Sequence, residues 1–130
     1  MNVPIFTIEN CPIINEAVLA YGHFNSVHPG HIRYLKKAAS LGKSLIVAVL
    51  PDTHNGKNRE YKFTQKERAE GLASINIIDG ILLLNDEESS LIKAINKLKP
   101  SCLVLGTEFE DSKDPEIIEA IRVMKNNGLK

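Results

Sequence analysis

The sequence predicts an α/β protein built on an open parallel sheet with helices on both faces. Three observations predict it. Short apolar runs rich in Val, Ile and Leu alternate with longer segments whose apolar residues recur every three or four positions. The runs are mostly continuous rather than alternating, as expected where helices cover both faces of a sheet. Most helical segments also carry a start or stop signal of the right kind: a cap, a proline or a glycine. At 130 residues the chain has room for one hydrophobic core.

The elements follow in order. Residues 1–16 form an arm with apolar Val3, Ile5, Phe6, Ile8, Ile13 and Ile14, expected to pack on a neighbouring subunit or to cover a sheet edge. A homodimer is the expected assembly, since two-fold pairs are the commonest closed form. Residues 17–130 form the domain proper. Its first strand is expected over 17–21. A helix then opens at Pro29, where a missing N–H costs nothing, and stops at Gly42, with Ile32, Leu35 and Ala39 facing the core.

The second strand spans 44–50. A second helix opens at Thr64, where Thr64-Gln65-Lys66-Glu67 is a capping box, and buries Ala69, Leu72 and Ile75. The third strand spans 80–84. Its following helix carries Leu91, Ile95 and Leu98 and is ended by Pro100. The fourth strand spans 102–105, and a last helix runs from Asp114-Pro115 to Gly128 with Ile117, Ile121 and Met124 inward. An alternation that closes on a helix leaves the fourth strand without its next neighbour. The expectation is an N-terminal part of a longer polypeptide, lacking its last strand and helix.

Composition narrows the function. Sixteen Lys plus Arg balance sixteen Asp plus Glu, so no global charge draws the chain to nucleic acid or an anionic membrane. The apolar runs are far short of the ~20 residues of a membrane-spanning helix. No Lys or Arg precedes Arg33, so the start does not read as a signal peptide. Cys11 and Cys102 form neither a metal-type nor a redox-type pair, which suits a reduced cytoplasm.

Open α/β sheets bind ligands at the carboxyl ends of their strands, and the loop after the first strand carries the chemistry. It reads Gly22-His23-Phe24-Asn25-Ser26-Val27-His28-Pro29-Gly30-His31. Two histidines three apart flank the opening turn of a helix, where free N–H groups and the positive dipole end attract phosphate. Gly30 lets a phosphate approach the backbone closely. Imidazole donors there can stabilise charge that develops in a transition state. Singly, either histidine would read as a helix cap or packing residue; paired at this spacing and place they point to phosphoryl or nucleotidyl chemistry. A dinucleotide site is disfavoured because the turn lacks G-x-G-x-x-G, although Asp52 follows the second strand. Zinc on His23, His28 and His31 is disfavoured because no Cys or nearby carboxylate completes the set.

The same stretch resembles the signature of the cytidylyltransferase-like nucleotidyltransferases, G-x-F-D-x-x-H-x-G-H followed by a hydrophobic helix. The resemblance continues through Leu50-Pro51-Asp52, Phe63, Glu67-Arg68-Ala69-Glu70, Ile78-Asp79-Gly80, Lys99-Pro100 and Leu105-Gly106-Thr107-Glu108-Phe109. It covers about residues 17 to 110. The chain is most similar to the sugar-phosphate group akin to heptose-phosphate adenylyltransferase, which includes domains fused to a carbohydrate kinase.

The resemblance implies a Rossmann-like fold and transfer of AMP or CMP from ATP or CTP to a phosphorylated sugar or polyol, with pyrophosphate and magnesium leaving together. His28 and His31 would stabilise the transition state, Gly30 would admit the phosphates, and Lys57 would hold them, with Lys62 as the alternative lysine. Gly22, His23, Phe24, Asn25 and Arg68 would line the substrate site, and Gly106 and Glu108 would meet the base. Residues 57–68 carry five basic against two acidic side chains, a local positive excess in a neutral chain. Two departures stand out: Asn25 occupies a place where most relatives have Asp, and the family's late Ser/Thr-rich motif is absent. The second departure keeps a catalytically incomplete nucleotide-binding or assembly module open as the alternative.

Overall fold

The computed structural model describes residues 3–22, 29–50, 53–54, 57–58, 64–85, 90–105 and 115–126. Within them the chain runs β1 (Ile5–Thr7), β2 (Ala17–Gly22), α1 (Pro29–Ala39), β3 (Ser44–Val49), β4 (Thr53–His54), β5 (Lys57–Asn58), α2 (Gln65–Ala73), β6 (Gly80–Leu83), α3 (Ser90–Leu98), β7 (Cys102–Leu105) and α4 (Pro115–Asn126). Five strands form one sheet in the order β1-β6-β3-β2-β7, and all its pairings are parallel. This is the Rossmann-like α/β architecture.

The strand residues divide between two cores, as the two-residue period of a strand requires. Ala17, Leu19, Tyr21, Ile46, Ala48 and Leu82 face α3 and α4, meeting Leu91, Ile95, Leu98, Ile117 and Met124. Val18, Ala20, Leu45, Val47, Val49 and Ile81 face α1 and α2, meeting Leu35, Ala38, Ala69 and Leu72. Both faces of β2 and β3 are thus sealed, and burying each Leu or Ile contributes about 1.5–3 kcal/mol.

The arm is the fifth strand. Ile5, Phe6 and Thr7 pair with Ile81, Leu82 and Leu83, so the arm covers the outer edge of β6. Gly80 makes room for it: a Cβ there would lie 2.9 Å from the Ile46 Cδ1 and 3.2 Å from the Phe6 ring. On the opposite flank β7 pairs with β2 and with no other described strand.

Three sequence expectations need correction. Ile121 is 38% exposed, and Ala120 is buried in its place, because the apolar stripe of α4 runs through Ile117, Ala120 and Met124. On α1 Ala38 is fully buried while Ile32 and Ala39 are only half-buried. α1 ends at Ala39 rather than running to Gly42. That glycine instead lies against the chain before β2, where a Cβ would sit 2.6 Å from the Glu16 carbonyl oxygen. The capping box of α2 is as expected: the Glu67 N–H donates to the Thr64 hydroxyl at 3.2 Å and the Thr64 N–H to the Glu67 carboxylate at 3.1 Å. Among the described residues no helix is long and apolar enough to cross a membrane.

Candidate active site

The strand order decides where a ligand can bind. From β2 the chain steps to β3 and then β6 on one side, and only afterwards crosses to β7 on the other side of β2. α1 and α2 cover one face and α3 and α4 the other. The helices that follow β2 and β7 therefore lie on opposite faces, and it is beyond the carboxyl ends at such a switch in strand order that open α/β sheets bind ligands. Register aligns those ends: Gly22 pairs with Val49, Val49 with Leu83, and Tyr21 with Leu105.

Some of the expected site residues can be placed against this frame. Gly22 is the last residue of β2, and Gly30 and His31 stand in the first turn of α1. His23, Phe24, Asn25 and His28 fall in the connection between them and lie outside the described residues, as do Lys62, Gly106 and Glu108. Lys57, expected in a loop, stands in β5, paired antiparallel with His54 of β4 in the connection that leaves β3. Arg68 lies in α2 and is 3% exposed, the buried charged residue among those described. A guanidinium does not lose its proton, so such burial is tolerated only with partners, and Arg68 is not without them. Topology thus sends the first-motif turn, Lys57 and the start of α2 from one edge of two adjacent parallel strands.

Two side chains that the motif reading did not single out hold the flanking helices in place. The Tyr34 hydroxyl on α1 donates to the Val104 carbonyl oxygen of β7 at 2.8 Å, one turn beyond Gly30 and His31. Gln65, the first residue of α2, donates from its carboxamide nitrogen to the Val49 carbonyl oxygen at 2.9 Å and the Leu84 carbonyl oxygen at 2.7 Å. Helical spacing held a signal for Gln65, which stands four residues before Ala69 and seven before Leu72 on the buried stripe. Nothing in the spacing marks the hydroxyl partner of Tyr34, which lies seventy residues away.

Among the described residues the displaced titrations lie away from these helix starts. Burial pushes the Cys11 thiol above its ordinary value, with Lys97 opposing, and the hydrogen bond to Glu16 raises Lys43. On α4 the hydrogen bond from Arg122 lowers Glu119. Among the described residues no three His, Cys, Asp or Glu side chains converge as metal ligands.

Comparison with known proteins agrees with this arrangement. Residues 19–127 match the cytidylyltransferase-like family. The chain is 36% identical over 95 residues to the bifunctional protein HldE of Helicobacter pylori strain HPAG1, covering 71% of this chain and 20% of that one. It is 32% identical over 98 residues to the FAD synthase of Archaeoglobus profundus, covering 74% of this chain and 62% of that one. With the FAD synthase of Halalkalicoccus jeotgali the identity is 33% over 111 residues, covering 85% and 74%. The crystal structure of a lipopolysaccharide core biosynthesis protein from Thermoplasma volcanium superposes with a TM-score of 0.69 at 28% identity, covering 88% of this chain and 89% of that one. Motif, strand order and likeness agree, and the chain belongs to the cytidylyltransferase-like family.

Proposed function

We propose that this chain is a nucleotidyltransferase that moves AMP or CMP from ATP or CTP to a phosphorylated sugar or polyol. A phosphate oxygen of the acceptor attacks the α-phosphorus in line; the new P–O bond forms as the bond from α-phosphorus to the bridging oxygen breaks, and pyrophosphate leaves. Magnesium travels with the triphosphate and is part of the substrate. The observation that supports the reading is Pro29-Gly30-His31 in the first turn of α1, preceded in sequence by His28, on the helix that follows β2 at the switch in strand order.

In this reading the protein supplies position and charge stabilisation rather than a covalent intermediate. The two imidazoles donate to phosphate oxygens as charge builds, Gly30 and the N–H groups of the first turn receive the phosphates, and Lys57 and Arg68 add fixed positive charge. Glu108 accepts from an exocyclic amine of the base. Likeness to HldE supports the sugar-phosphate acceptor. Likeness to the FAD synthases supports a second acceptor of the same chemistry, a flavin phosphate.

Pyrophosphate release, assayed with each triphosphate against a panel of sugar, polyol and flavin phosphates, tests the reading for this chain and for any longer natural form. Acceptor-dependent release with one triphosphate is the expected result. Nucleotide binding with no release by either form overturns the enzyme reading in favour of a nucleotide-binding module.

A further inference from the structure

Gln65 takes no part in the helix cap, which Thr64 and Glu67 complete between themselves. Its carboxamide nitrogen instead bridges the carboxyl ends of two strands through the Val49 and Leu84 carbonyl oxygens. The Val49 oxygen also accepts the Leu84 N–H at 3.1 Å, so the side chain adds a rung to the β3–β6 ladder just where backbone pairing ends. The start of α2 is thereby tied to the sheet itself rather than held only by the long connection from β3.

Arg68 follows three residues later on the same helix face, and its backbone N–H closes the first turn on the Thr64 carbonyl oxygen at 2.8 Å. A side chain that meets a phosphate through a planar fork of donors is sensitive to where its backbone starts. We propose that Gln65 is a positioning residue for triphosphate binding: by bridging the ends of β3 and β6 it sets where α2 begins and so where Arg68 is presented. The proposal rests on the nucleotidyltransferase reading above.

Calorimetric titration of the full chain with magnesium-ATP and magnesium-CTP tests it, using wild type, Gln65→Leu, Gln65→Glu, Arg68→Met and the double variant Gln65→Leu with Arg68→Met. Each is also made with Gly71→Ala, which fills open space on the exposed side of α2 and restores lost stability. Gln65→Leu is expected to weaken the triphosphate Kd about tenfold, the equivalent of one to two lost hydrogen bonds. Gln65→Glu, which sets a carboxylate against two carbonyl oxygens, weakens it further. With Arg68→Met already present, Gln65→Leu adds no further loss, the signature of two residues acting as one. Gly71→Ala raises the melting temperature of Gln65→Leu without restoring its Kd. An unchanged Kd in Gln65→Leu, additive losses in the double variant, or a Kd restored by Gly71→Ala each overturns the positioning role alone. A wild-type chain that binds neither triphosphate overturns the nucleotidyltransferase reading and this proposal with it.

Discussion

The two edges of the sheet differ in how much chain crosses them. At the amino edge, helices return to strands in three to six residues; at the carboxyl edge, strands pass to helices in six to fifteen. Short returns let backbone meet backbone. The Lys43 N–H donates to the Glu16 carbonyl oxygen at 3.0 Å, the Asp79 N–H to that of Leu45 at 2.8 Å and the Ser101 N–H to that of Ala17 at 2.9 Å. Glu16 and Lys99 accept positive φ, both 54°, to make these turns. Among the described residues, side chains also reach the strand ends at the carboxyl edge, Tyr34 at β7 and Gln65 across β3 and β6. Longer connections can carry chemistry and vary without disturbing the sheet.

Substitutions at either edge separate chemistry from stability. The largest effect is expected at the carboxyl edge: His28→Ala and His31→Ala each lower turnover roughly 10²–10³-fold while triphosphate affinity stays close to wild type, because these donors act on charge that builds in the transition state. Parallel measurement of pyrophosphate release and calorimetric Kd checks this, and a variant with near wild-type turnover returns that histidine to a helix cap. At the amino edge Gly42→Ala forces a Cβ against the Glu16 carbonyl oxygen at 2.6 Å and a Val18 methyl at 2.7 Å. It should cost about 1–3 kcal/mol in denaturant unfolding with little change in triphosphate Kd. An equal loss of affinity there would erase the functional distinction between the edges.

Lys57→Ala, back at the carboxyl edge, is expected to weaken both triphosphate affinity and rate roughly tenfold, since it meets charge already present in the ground state. A change in rate alone would assign it to the transition state instead. The smallest effect is Gly71→Ala in α2, where an added Cβ meets nothing within 4 Å. It should raise stability by about 0.5–1 kcal/mol, read as a higher melting temperature with unchanged activity.

Much of this was legible along the chain because it depends on neighbours in sequence. The strands β2, β3, β6 and β7, the opening of α1 at Pro29 and the capping box of α2 each rest on residues close together in sequence. The first-motif turn was legible for the same reason: its glycines and histidines lie within ten consecutive residues, in a strand–turn–helix context that the structure confirms at both ends.

Other features depend on partners far apart in sequence. An apolar arm reads the same whether it covers its own sheet or a neighbour; its parallel pairing with β6 depends on Gly80, more than seventy residues away, having no side chain to block Phe6. The inward side of α4 turned from Ile121 to Ala120 because it packs against α3 and β7, whose positions no helical period encodes. The residues that orient the carboxyl edge were the least visible of all. Gln65 and Tyr34 are ordinary polar residues on amphipathic helices, and what each does is set by a backbone carbonyl that every sequence possesses. Local pattern determined the elements and the strand–turn–helix setting of the first motif. The strand order, the arm and the side chains that fasten α1 and α2 to the sheet were decided by packing, because those contacts join residues that the chain keeps apart.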